Sequence, residues 1–268
     1  MSYPKAIKLG IVALGLSMTF GSLPPLQAAT PQINIGVRIT WLGHACMQFT
    51  SPQGKIILLD PWLTNPKFPS DTKITQADYI LVTHGHFDHL GSTVELARKT
   101  GATVLCIFEV GEYLQSQGVP AEQVIGMNMG GTFIADGITF NMVPALHSSG
   151  ISLGKHKMVT GGNPVGFVIR FENGFTLYDT GDSDVFGDME LIAQRFHPEL
   201  LILPIGGRFT MDPQGAALAC RLISPRYVIP NHYGTFPILS GTPDELERAL
   251  VDRPDIKILT ISPGESVE

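Results

Sequence analysis

Short apolar runs bounded by turn residues fill the first two thirds of the chain, and helical periodicity enters between them in the last third. Residues 56–59, 77–82 and 103–108 read as buried strands. Asp136-Gly137 lies between the apolar runs 132–134 and 138–143. Asn173-Gly174 lies between 167–171 and 175–178. Both dipeptides favour the positive backbone angles of tight hairpin turns, so each predicts a β-hairpin. Helices are expected over residues 188–196, 212–223 and 242–251, alternating with strands 200–203, 227–230 and 257–261. That alternation predicts an α/β fold. Ser92-Thr93-Val94-Glu95 has the form of a capping box and predicts a helix start. Residues 148–164 show no period and read as a long glycine-containing loop, of the kind that rims a site.

The strand 77–82 runs into Thr83-His84-Gly85-His86-Phe87-Asp88-His89. Four metal-ligand side chains therefore sit on one strand-to-helix loop. His84 and His86 are two apart, so extended backbone turns both imidazoles the same way and they can share one ion. Asp88 and His89 follow where the chain begins to turn and can face a second ion. Imidazole and carboxylate donors suit zinc foremost, and also manganese, iron or nickel. No cysteine belongs to the cluster, which argues against a closed structural zinc site. Further candidates stand at the ends of later strands: His147 after 138–143, Asp179 after 175–178, and His232 after 227–231.

The pattern His-x-His-x-Asp-His after a strand, followed in order by His147, Asp179 and His232, resembles the metallo-β-lactamase superfamily. Trp41-Leu42-Gly43-His44-Ala45, Leu59-Asp60-Pro61-Trp62-Leu63, residues 204–211 and residues 232–237 are similar to one bacterial subgroup of it. That subgroup comprises metal-dependent hydrolases related to ascorbate-6-phosphate lactonase. The resemblance covers roughly residues 37–265. It implies a four-layer αββα sandwich, two mixed sheets packed face to face with helices outside. It also implies two divalent ions, one held by His84, His86 and His147, the other by Asp88, His89 and His232, with Asp179 bridging. The activity implied is hydrolysis of an ester, lactone, amide or phosphodiester bond by a metal-bridging hydroxide, with Asp88 orienting the nucleophile and accepting its proton. Two divalent ions outweigh the carboxylates and the hydroxide, so a small anionic substrate is expected. An aspartate instead of a cysteine at the bridging position disfavours antibiotic hydrolysis. A non-catalytic periplasmic metal- or small-molecule-binding protein of the same fold is the competing expectation.

Around this core, four residues are substrate or supporting candidates: His44, Asp60, Arg208 and Tyr233. Asp60 ends the strand 56–59, and metal-bound imidazoles commonly donate their second N–H to such a carboxylate. Arg208 can meet a substrate anion or pair with a core carboxylate. The Gly-x-Ser-x-Gly spacing at residues 150–154 falls in the long loop and not on a strand-to-helix elbow, so a serine hydrolase is a poor reading.

Composition adds size, compartment and partners. The 268 residues, 44% hydrophobic and 16% charged, suffice for one large domain. Lys5 and Lys8 precede the apolar stretch 9–20, which falls short of the roughly 20 residues that span a bilayer. Residues 1–28 are therefore expected to be a secretory signal peptide, leaving 29–268 as the hydrolase domain in a bacterial periplasm or medium. An uncleaved leader would leave a membrane anchor; otherwise no stable membrane insertion is expected. Loss of two lysines and no acids would shift the net charge from −6 to −8. A body this acidic disfavours nucleic-acid binding. Cys46, Cys106 and Cys220 are too few for a disulfide framework, although one pair could bond.

Overall fold

The computed structural model describes residues 33–268, so the expected signal peptide at 1–28 lies outside the described residues. The first sheet contains β1 (Arg38–Trp41), β2 (Met47–Thr50), β3 (Ile56–Leu59), β4 (Tyr79–Val82), β5 (Thr103–Ile107) and β6 (Val124–Met127). The second contains β7 (Thr132–Ala135), β8 (Ile138–Pro144), β11 (Val165–Arg170), β12 (Thr176–Asp179), β13 (Leu200–Pro204), β14 (Tyr227–Asn231) and β15 (Lys257–Ile258). Between β8 and β11 a separate hairpin forms from β9 (Gly150–Ser152) and β10 (Met158–Thr160). The last strand, β16 (Ser266–Val267), returns to pair with β1. Helices α1 (Phe87–Leu90), α2 (Thr93–Thr100) and α3 (Phe108–Ser116) belong to the first half; α4 (Met189–Phe196), α5 (Pro213–Ile223) and α6 (Pro243–Ala249) belong to the second. Each sheet mixes parallel and antiparallel neighbours, and the fold is the expected pair of mixed sheets with helices outside.

Both faces of the second sheet are covered, which explains why its strands are apolar without a break. Phe167 and Ile169 of β11, Leu177 of β12, and Leu200 and Ile202 of β13 join the core shared with the first sheet. Their alternates Val168, Tyr178, Leu201 and Leu203 pack with Met189, Ala216, Cys220 and Leu246 under the helices. Period-two geometry thus sends successive side chains into two cores. Helix ends follow their sequence signals where the cap is free to act. Asp212 accepts from Gly215 N at 2.8 Å with Pro213 in the first turn, and Thr242 and Glu245 form a reciprocal capping box.

Two expectations need correction. Ser92 precedes α2 but makes no side-chain cap; its hydroxyl accepts from Leu63 N at 3.3 Å, so the tertiary partner displaces the local one. Residues 148–164 are not irregular throughout, because β9 and β10 pair as a short hairpin. The three cysteines are all buried and free.

Strand direction positions the site. β1 and β3 are each antiparallel to β2, and β4 runs parallel to β3. β8 and β12 are each antiparallel to β11, and β13 and β14 continue parallel to β12. The loops after β1, β3, β4, β8, β12 and β14 therefore leave by the carboxyl ends of like-directed strands within each sheet. They carry, in turn, His44, Asp60, the Thr83–His89 loop, His147, Asp182 and His232.

Candidate metal centre

His84 and His86 leave β4 with the expected common direction: His84 Nε2 is 2.8 Å from His86 Nδ1. His147, arriving after β8, closes the group with ring centroids 5.1 and 5.2 Å from those two. One ligand atom from each of the three lies within 4.8 Å of the others. Burial pushes all three pKa values down and the surrounding imidazoles add to it, against the pull of Asp182. Neutral imidazoles turned toward one another present converging lone pairs, the form that binds a cation.

A second group forms beside the first. α1 begins at Phe87, placing Asp88 and His89 in one turn. His89 Nδ1 is 2.7 Å from Asp60 Oδ2, while its Nε2 is 3.1 Å from Asp182 Oδ2. His232 Nε2 lies 3.1 Å from the same Asp182 oxygen and 3.9 Å from Asp88 Oδ2. His147 Nε2 reaches that oxygen at 3.7 Å. Ligand atoms of His44, Asp88, His89 and His232 lie within 4.8 Å of one another. Burial opposes a charge on His89, but Asp182 and Asp60 on either side hold its pKa well above the usual imidazole value. Burial likewise opposes ionisation of Asp182, and His232 and His89 hold its carboxyl well below the usual range.

The donors fit metal ions on their own geometry. His89 Nε2 and His232 Nε2 are buried and at ion-pair distance from Asp182, yet neither makes a hydrogen bond of acceptable geometry. The distances describe donors gathered about a common point better than bonds between partners. Buried nitrogens of this kind are costly unless something else satisfies them.

The structure brings together six of the seven expected ligands: His84, His86, Asp88, His89, His147 and His232. Asp179 is not among them. It is still paired within β12, its Oδ1 accepts from Gly181 N at 2.8 Å, and its Oδ2 is buried without a partner. Burial, with Asp60 nearby, pushes its carboxyl well above the usual range. Gly181 then turns the chain at φ +57°, and Asp182 is the aspartate that faces the histidines. The second aspartate of the same Asp179-Thr180-Gly181-Asp182 quartet was the available signal. Ser183 fixes the turn by accepting from Leu146 N at 3.0 Å, tying the Asp182 loop to the His147 loop.

Asp60 lies where a supporting carboxylate was expected. Its Oδ1 accepts from Thr83 N at 2.8 Å, and its Oδ2 from Thr83 Oγ1 at 2.6 Å as well as meeting His89. His44 touches Asp88, with Nε2 3.0 Å from Oδ2. Tyr233 stacks on Trp41 at 5.2 Å, and Arg208 is exposed and enters no ion pair among the described residues. Sequence reasoning missed Asp182 and Thr235; the Thr235 hydroxyl lies 2.9 Å from His44 Nδ1. His44, Asp60 and His232 all take positive φ, an uncommon conformation for residues with side chains, so the fold holds these three loops in costly turns.

Residues 55–233 match the β-lactamase superfamily domain. A metal-dependent hydrolase of the UPF0173 family from Rubrobacter xylanophilus is 46% identical over 235 residues, 87% of this chain and 96% of the relative. One from Methanosarcina mazei is 45% identical over 233 residues, 87% and 98% of the two chains. The solved structure of a metallo hydrolase from the archaeon Ignicoccus hospitalis superposes with a TM-score of 0.75 at 33% identity, covering 86% of this chain and 97% of that one. The chain belongs to the metallo-β-lactamase superfamily, within the UPF0173 metal-dependent hydrolases.

Proposed function

We propose that the chain is a binuclear hydrolase acting on an ester, lactone, amide or phosphodiester bond of a small anionic substrate. The observation that carries this reading is the position of Asp182 Oδ2, within 3.7 Å of nitrogens from His89, His147 and His232. One carboxylate oxygen thus links the two donor groups. His84, His86 and His147 would hold one ion; Asp88, His89 and His232 the other; Asp182 would be shared. Zinc suits this set of nitrogen and oxygen donors foremost, with manganese, iron or nickel as alternatives. When bound, two such ions supply a water acidic enough to ionise near neutral pH and polarise the oxygen of the scissile group.

Asp88 is the proposed orienting group and proton acceptor. Burial would raise its carboxyl, but the His44 hydrogen bond and the charge of His89 hold it at about 2, so it is ionised at neutral pH. Asp60 orients His89 through Nδ1, leaving Nε2 for the ion. An anionic substrate suits a centre whose two divalent ions outweigh its carboxylates. We place the mature protein in the periplasm or medium, on the strength of Lys5, Lys8 and the apolar stretch after them.

The test is metal analysis of the purified chain with a screen of generic esters, lactones and phosphodiesters, run beside Asp88→Ala and His147→Ala. Two equivalents of metal and an activity lost in both variants are expected. An activity that survives both substitutions does not belong to this centre.

A further inference from the structure

His44 is fully buried, and both of its ring nitrogens are engaged. Nε2 is 3.0 Å from Asp88 Oδ2, and Nδ1 is 2.9 Å from Thr235 Oγ1. The loop holding the ring is fixed from two sides, since Trp41 Nε1 at 2.8 Å and His232 N at 3.0 Å both donate to the His44 carbonyl. Trp62 closes edge-on against the imidazole at 5.2 Å and His232 lies at 3.8 Å. Packing and backbone contacts thus hold the ring between Thr235 and Asp88.

That placement dictates where its proton sits. An ionised carboxylate only accepts, so Nε2 must carry the hydrogen that bonds Asp88. A neutral imidazole has one N–H, which leaves Nδ1 with a lone pair. Thr235 must then donate its hydroxyl hydrogen to Nδ1. Removing the hydroxyl leaves a buried Nδ1 lone pair without its partner and loosens the ring that bonds Asp88.

We propose that Thr235 is a positioning residue for the second ion: its hydroxyl satisfies Nδ1 and holds the ring of His44, and His44 in turn holds Asp88 facing His89 and His232. The inference rests on the binuclear reading above. The chain Thr235–His44–Asp88 joins the loop after β14, the loop after β1 and the first turn of α1, three segments far apart in sequence. It reaches only the group containing Asp88. His84, His86 and His147 lie outside it, so its loss should touch one ion and spare the other.

The experiment is a competitive titration of the full chain with cobalt(II), read by its visible absorption, for the wild type, Thr235→Ser, Thr235→Val and His44→Asn. Asparagine tolerates the φ of +55° at position 44, so the last variant cuts the link without opposing the backbone. The wild type and Thr235→Ser are expected to bind two equivalents with the same affinities and spectrum. Thr235→Val and His44→Asn should keep one equivalent and weaken the other about 10–100-fold, the usual cost of losing a supporting partner. The double variant should lose no more than the worse single, because both cut one chain. Thr235→Val binding both ions as the wild type does, or weakening both equally, overturns the proposal alone. A wild type that takes up fewer than two equivalents overturns the binuclear reading and this one with it.

Discussion

Asp179 and Asp182 stand three positions apart and meet opposite environments. Asp179 remains in strand pairing, accepts from Gly181 N and leaves one oxygen buried without a partner. Burial, and then Asp60, push its carboxyl well above the usual range, so this site disfavours a charge. Asp182 is held ionised by His232 and His89 against its own burial. Asn therefore replaces Asp179 almost isosterically at a site that disfavours a charge, whereas at 182 it removes a charge that faces three histidines. Asp179→Asn is expected to keep both metal equivalents. Asp182→Asn should weaken metal binding by more than the roughly 10–100-fold that loss of a supporting partner costs. Equal metal affinity in the two variants would show that Asp182 is not the shared ligand. The residues of Thr83–His89 were legible because local spacing alone brings them together. Asp182 was not, since the choice between two aspartates depends on the Gly181 turn and on Ser183 reaching Leu146.

Among the elements, the β9–β10 hairpin is one that the sequence hid, beside α3 and β6. Its strands are three residues each, too short for alternation to register, and β10 is exposed along its length. Longer elements were legible because their apolar period is set by burial on both faces, as in β11 to β14. The hairpin instead depends on a tertiary contact with the histidine loop: Gly85 N donates to Ser149 Oγ at 3.1 Å, and a Cβ on Gly85 would stand 2.6 Å from Ile151 Cγ1. The glycine between His84 and His86 is thus the seat of the hairpin. Gly85→Ala overfills that contact and is expected to destabilise the fold by about 1–3 kcal/mol, the range for overpacking. Because the exposed tip carries Lys155 and Lys157, trypsin should cut there faster in the variant. Adding Ile151→Ala should restore slow cleavage, since it removes the atoms the new methyl meets. Cleavage that stays fast in the double variant would mean that Gly85 does not seat the hairpin through Ile151.

Across the whole molecule, two sheets converge their loops on one buried collection of histidines, and that collection makes the fold sensitive to acid. His84, His86 and His147 have lowered pKa values, and His44 falls to about 4. In the unfolded chain each would take a proton near the ordinary value of about 6.5. Below that pH the unfolded state binds more protons than the native state, so stability rises with pH and falls on acidification. For His44 the window runs from about 6.5 down to about 4, and its full contribution is on the order of 3 kcal/mol. His89 opposes the trend: its raised pKa contributes stability below 6.5 that is lost as pH climbs through the folded value. Below about pH 6.5 that contribution is already complete, so the Asp179 carboxyl is the raised group that opposes the four lowered imidazoles there, and the slope stays positive. In excess chelator, urea midpoints should therefore drop steadily between about pH 6.5 and pH 4. With metal restored, the midpoint at neutral pH should rise and the acid slope steepen, because the ions bind the neutral imidazoles of the folded state and protons compete for them. A midpoint that is flat with pH in chelator, or unmoved by metal at neutral pH, would mean that the buried histidines are not held neutral for cations.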